Sequence, residues 1–95
     1  MADSFHLLIV VPGRTIYDGK AESAMMPAAK GMMGVLPGHA PFYGTIEAGT
    51  ITARTVPANT VSLKVSGGTV EVLPDDVTIL VESLESSPQP SVPNP

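Results

Sequence analysis

Ninety-five residues with a formal net charge of −4 and no cysteine make one domain with a modest core. The missing thiols exclude a disulfide framework and a thiolate metal site, and two histidines, His6 and His39, are too few for an all-protein zinc site without carboxylates. All five basic residues lie in 1–64, whereas 65–95 holds five acids and no base, which argues against nucleic acid as a partner.

Ten prolines and nine glycines leave little room for long helices, so the elements read as strands, with Val, Ile, Leu and Met filling a core that has only four rings to draw on. The start, Met1-Ala-Asp-Ser-Phe5, lacks the basic region of a signal peptide, and the apolar run Leu7–Val11 is too short to span a bilayer. Phe5–Val11 alternates as a strand, with Phe5, Leu7, Ile9 and Val11 on one face. Pro12-Gly13 turns the chain, and Arg14–Tyr17 runs back. Asp18-Gly19 is the strongest hairpin signal and predicts a third strand, Lys20–Met26, with Lys20, Glu22 and Ala24 on one face and Ala21, Ser23 and Met25 on the other. Pro27 closes it.

Gly31–Phe42 carries three glycines and two prolines among Met32, Met33, Val35, Leu36 and Phe42, which predicts a shaped apolar loop rather than a flexible linker. Strands follow at Tyr43–Glu47 and Thr50–Val56, then a turn at Pro57–Asn59. Thr60–Ser66 alternates with Val61, Leu63 and Val65 inward, and Gly67-Gly68 breaks it. Thr69–Leu73 and Val77–Glu82 flank the turn sequence Pro74-Asp75-Asp76. Eight or nine short strands predict an all-β sandwich over residues 1–84. From Ser83 onward four of thirteen residues are proline and no apolar period survives, so 85–95 reads as a disordered tail.

No arrangement for chemistry emerges. The two histidines are flanked by apolar, Gly or Pro residues rather than acids, which gives a triad or carboxylate pair no support. Gly67-Gly68 and Gly31-x-x-Gly34 lie in β-rich surroundings without a following helix and no Gly-Lys-Ser/Thr is present, so a phosphate loop has no support. A biotinyl or lipoyl carrier wants a lysine at a hairpin tip between methionines, and Met25-Met26 has none. The residues therefore predict no catalytic, cofactor or metal site. His39 reads first as a loop pin, its ring bonded to a nearby carbonyl, and second as a partner contact. Whichever of Met25 and Met26 faces inward belongs to the core, while Met32 and Met33 suit a partner surface.

Phe-His-Leu at 5–7, Tyr-Asp-Gly at 17–19, Gly-x-x-Gly-Val-Leu-Pro-Gly-His-Ala-Pro at 31–41, Ser-Gly-Gly-x-Val-Glu-Val at 66–72 and Val-Thr-Ile-Leu-Val-Glu at 77–82 resemble the N-terminal domain of the ε subunit of F-type ATP synthases, called δ in mitochondria. The resemblance implies a flattened two-sheet β-sandwich at the foot of the central stalk of a proton-translocating synthase. It implies a non-catalytic rotor subunit that binds γ and rests on the c-ring, peripheral to the cytoplasmic face of a bacterial membrane and without lipid insertion.

By position, Ala28, Ala29, Lys30, Gly31, Met32 and Met33 correspond to the segment that meets the c-ring. Val11 and Pro12, with Gly38, His39, Ala40, Pro41, Phe42, Tyr43 and Gly44, correspond to the γ-facing side, while Val35 and Leu36 are expected to anchor in the sandwich. Many members carry an acid where Met32 stands. Most bacterial members continue into a helical hairpin that inhibits ATP hydrolysis; a proline-rich end predicts neither that latch nor its nucleotide site. The competing reading, a stand-alone β-sandwich that binds a carbohydrate or peptide, usually displays clustered rings, and Phe5, Tyr17, Phe42 and Tyr43 are scattered.

Overall fold

A computed structural model of the chain describes residues 4–56, 59–84 and 89–90. Nine strands run in order: β1 (Phe5–Val11), β2 (Arg14–Ala28), β3 (Gly31–Val35), β4 (Phe42–Ile46), β5 (Gly49–Thr55), β6 (Asn59–Val65), β7 (Gly68–Val72), β8 (Asp76–Val81) and β9 (Gln89–Pro90). The described residues contain no helix, as the all-β reading expects.

The long β2 is shared by two layers. Its first half pairs antiparallel with β1 from Arg14 to Ala21, and β1 pairs parallel with β8, which continues through β7 to β4. Its second half pairs with β5 and β3, and β5 continues through β6 to β9. The exchange occurs at Ala21, the Cα partner of both Phe5 and Thr55, and the register slips between Ala21 and Ser23. An extra residue at such a bulge bends and twists a strand, which lets β2 leave one layer and enter the other.

The inner faces meet in one core. Phe5, Leu7 and Ile9 of β1, Val77, Ile79 and Val81 of β8, and Val70 and Val72 of β7 face Met26 of β2, Ile51 of β5 and Leu63 and Val65 of β6, and all are buried. Phe5 is the one ring among them, so aliphatic interdigitation carries the burial term, worth about 1.5–3 kcal/mol for each large side chain.

Four expectations about the first half of the chain are corrected. Asp18-Gly19 is not a turn but the middle of β2, opposite Leu8 and Leu7. Pro12-Gly13 already makes the two-residue connection, Gly13 taking φ of 79°, and so commits the following residues to pairing along all of β1. Gly19 is explained instead by Tyr17, whose ring lies over it so that a Cβ there would stand 2.9 Å from the hydroxyl oxygen. The hydroxyl donates to the Lys20 carbonyl at 2.7 Å.

Pro27 does not end the strand, which runs on to Ala28 with Pro27 paired to Met32. The alternation expected for Lys20–Met26 holds only as far as Ala21. The slip turns Ala24 and Met26 inward and leaves Met25 outward at 43% exposure. Nor is Gly31–Phe42 one loop: Gly31–Val35 forms β3, hairpinned on β2 through Ala29-Lys30, and the true loop spans 36–41.

At the other end Leu84 bridges Val65, and the Ser66 and Ser83 hydroxyls lie 2.8 Å apart, which extends ordered pairing to the expected domain boundary. Most of the tail expected at 85–95 lies outside the described residues. Gln89–Pro90 is described, and it pairs with Ser62 and Val61 at the edge of β6. Part of the expected turn, 57–58, also lies outside.

Candidate functional site

Two apolar surfaces stand out. The first is an open groove of about 680 Å³ beside the β2–β3 hairpin. Ala28, Ala29, Lys30, Gly31, Met32 and Met33, all the residues that the resemblance assigns to the c-ring, line it together with Gly34, Phe42 and Thr45. The tight connection between Ala28 and Gly31, with Gly31 at φ of 118°, folds the segment back so that Met33 pairs with the buried Met26 while Met32 projects at 56% exposure. Met32 and Met25 share the outward face of the hairpin, and Met25 lies over Gly34, where a Cβ would approach its sulfur to 3.0 Å.

The second surface is the outward face of the β1-β8-β7-β4 layer. Register aligns Val10, Leu80, Thr69 and Thr45 in one row and Leu8, Thr78, Glu71 and Tyr43 in the next. Leu80 is 51% and Tyr43 72% exposed, so the face presents large apolar side chains to solvent. A depression of about 380 Å³ at Val10, Val11, Pro12, Thr69 and Leu80 marks one corner. Another, of about 280 Å³, lies at Pro41, Phe42, Tyr43, Glu71 and Leu73.

The residues that the resemblance assigns to γ are thus not gathered in one loop cluster. Val11 and Pro12 stand at the end of the layer where Leu80 and Gly68 lie, and Phe42–Gly44 stand at the end where Val72 lies, diagonally across the same sheet. Phe42, placed with that set by the resemblance, also lines the groove, so the two surfaces meet at its ring. That ring covers Gly44, as Tyr17 covers Gly19.

Between β3 and β4 the chain makes a tight turn, Leu36-Pro37-Gly38-His39, closed by the His39 N–H donating to the Leu36 carbonyl at 3.1 Å. Proline at the second position and glycine at φ of 81° at the third are what a type II turn requires. The Gly38 N–H donates to the Pro74 carbonyl at 3.0 Å, tying this turn to the β7–β8 connection. The half-buried His39 ring donates from Nδ1 to the Ala40 carbonyl at 2.7 Å, which is the pin expected for it. Ala40 and Pro41 are exposed beside it. Leu36 does not anchor: Val35 is buried but Leu36 is 63% exposed, because β3 ends at Val35 and the turn carries the next side chain outward.

Leu80, Leu8, Gly34 and Thr45 belong to these surfaces without having been singled out in the sequence. For Leu80 the signal is the alternation of β8, where Val77, Ile79 and Val81 point inward and leave it as an apolar residue on the wet side. Thr45 joins the groove only because β4 meets β2 at Ala28 and Ile46, a tertiary fact.

Among the described residues no group of three or more His, Cys, Asp or Glu is placed to hold a metal ion, and no helix is long and apolar enough to cross a membrane. The fold is a small β-sandwich domain with two exposed apolar surfaces. Its identity is narrower. Residues 4–87 match the family model of the ATP synthase delta/epsilon chain β-sandwich domain, and the chain belongs to that family.

It is 37% identical over 82 residues to the ATP synthase epsilon chain of Synechococcus sp. (strain CC9311), covering 86% of this chain and 60% of that one. It is 41% identical over 85 residues to the epsilon chain of Koribacter versatilis (strain Ellin345), covering 90% and 59%. The chain thus spans about 60% of the length of these relatives. Its fold is that of a chain in the Euglena gracilis mitochondrial ATP synthase OSCP/F1/c-ring structure, with a TM-score of 0.81 at 19% identity over 88% of this chain and 54% of that one.

Proposed function

We propose that the chain is a non-catalytic rotor element of a proton-translocating F-type ATP synthase, the sandwich that ties the foot of γ to the c-ring. Torque transfer asks for a stiff body with broad contacts rather than reactive groups, and two packed sheets with docking surfaces meet that need. The observation that carries the reading is the family match across 4–87, which coincides with the span that holds both apolar surfaces.

In this reading the β2–β3 hairpin groove, with Met32 and Met33, receives the polar loops of the c-ring through their backbone and aliphatic atoms. The outward face from Val11 and Pro12 across Leu80 to Tyr43, with the Gly38–Pro41 turn, receives γ. Ion movement and ATP chemistry belong to other chains. The domain sits at the membrane surface through the complex, on the cytoplasmic side in a bacterium, without inserting into lipid.

Co-expression with the γ and c subunits of the same genome, followed by purification through a tag on this chain, tests the proposal. Recovery of γ with the tagged chain is expected. Recovery of the chain alone, with γ soluble and folded in the same lysate, would overturn it.

A further inference from the structure

Among the described residues, His6 is the side chain that meets carboxylates on two neighbouring strands; it lies on the outward face of β1, in the row beyond Leu8. It stands near the start of β1, opposite Lys20 of β2 and Asp76 of β8. Its Nε2 lies 2.5 Å from Asp18 Oδ1 and its Nδ1 3.5 Å from Asp76 Oδ1. A neutral imidazole has a single N–H and can donate to only one of these carboxylates, leaving a lone pair facing the other. The charged ring donates from Nε2 to Asp18 and turns its Nδ1 side to Asp76 as an ion pair, so that it spans β2, β1 and β8.

The charged groups around the ring are few. Asp18 and Lys20 face it from β2 and Asp76 from β8, with Asp75 adjacent in the chain.

A second set of bonds leads away from this cluster. The His6 N–H donates to the Asp75 carbonyl at 2.8 Å, and the Leu73 N–H to the Asp76 carbonyl at 2.7 Å, which closes the β7–β8 connection. The same connection accepts the Gly38 N–H at the Pro74 carbonyl, 3.0 Å away. One short path therefore runs from the His6 ring through Asp76 and Pro74 to the Leu36–His39 turn.

We propose that His6 is a proton-operated clasp that, when charged, fixes the Pro74–Asp76 connection and through it the Gly38 turn, and that releases both as it loses its proton. Imidazole is the side chain that as a class gains and loses a proton between pH 5 and 8. The ring and both carboxylates are about half exposed, at 46%, 61% and 58%, so the effect is a modest one of roughly two- to fivefold in local opening. The sign follows from the geometry: the double contact is present at low pH and lost as pH rises. The clasp is a property of this chain alone, so its test stands apart from rotor binding.

Amide hydrogen exchange of the 15N-labelled chain at pH 5.5 and pH 8.0, corrected for the intrinsic pH dependence of exchange, reads the clasp. Protection at Gly38 and Leu73 is expected to fall by roughly two- to fivefold at the higher pH. His6→Gln should erase the pH response, Asp76→Asn should erase it while keeping the ring, and His39→Gln should leave it intact. Buried amides such as that of Ile79 verify that each variant keeps its core. Equal protection of Gly38 at both pH values, or a response that persists in both His6→Gln and Asp76→Asn, would overturn the proposal.

Discussion

Gly38 and Gly68 look alike in the sequence, each at a Gly-rich break between apolar runs, yet they serve opposite ends of the molecule's purpose. At Gly68 a Cβ would overlap the Leu80 carbonyl oxygen and stand 3.0 Å from the Val81 Cα, so the residue is bare because two strands pass through the space a side chain needs. At Gly38 nothing lies within 4 Å of that position, and glycine is required by the backbone, at φ of 81°. The first glycine holds the sheet closed where β7 pairs with β8. The second aims a turn outward. Identical composition thus hides a steric demand in one place and a conformational one in the other, and substitution separates them.

Gly68→Ala has the largest expected effect. The obstruction is backbone on both counts, so no side chain can swing away, and the β7–β8 pairing must give. A loss of at least about 3 kcal/mol is expected, read as a lower urea midpoint. A near-neutral result would mean that the sheet edge yields easily.

The same question can be put to two neighbouring methionines. Met26 is wholly buried and Met25 is 43% exposed. Met26→Ala should cost about 2–5 kcal/mol through lost burial and a cavity, whereas Met25→Ala should change stability by less than about 1 kcal/mol. Equal costs in urea unfolding would contradict the register slip at Ala21–Ser23 that sends the two side chains to opposite faces.

Gly38→Ala follows in size. An L-residue in the left-handed region costs about 1–2 kcal/mol, and no neighbour adds to it. The penalty should appear partly as a loosened turn, with the proposed binding to γ weakened alongside a slightly lower melting temperature. If Gly38→Ala were as destabilising as Gly68→Ala, the distinction between the two glycines would fall.

How much of this could be read beforehand follows the same division between local and non-local causes. Strand faces in β1 and β6 were legible because alternation is written in consecutive residues such as Phe5, Leu7 and Ile9. The Asp18-Gly19 turn was misread because a dipeptide preference is weak against a register already fixed by Pro12-Gly13, which places Gly19 opposite Leu7 whatever its own leaning. The bulge that turns Met26 inward has no signature in Ala21-Glu22-Ser23 themselves. It exists because β2 must change layers there. In the site, the apolar character of Met32 and Met33 was plain, but the arrival of Phe42 and Thr45 beside them depends on β4 crossing to β2.

Met32→Glu carries the smallest expected effect on the fold. Met32 sits on the outward face of β3, 56% exposed, paired across to Pro27 rather than to a core residue. A carboxylate there stays in water in the free chain, so stability should change by no more than about 0.5 kcal/mol. On the proposed docking, the same carboxylate must leave water for a groove whose lining holds a single cation, Lys30 at the hairpin tip. Desolvating an incompletely paired charge is costly, and a loss of about tenfold or more in affinity for an assembled γ–c-ring preparation is expected, or about 1.4 kcal/mol. Met32→Leu should retain binding, since it keeps the apolar volume. An affinity unchanged or raised by Met32→Glu would mean that the partner offers a charge-accepting surface here, and that the exposed methionine is not the contact through which this hairpin docks.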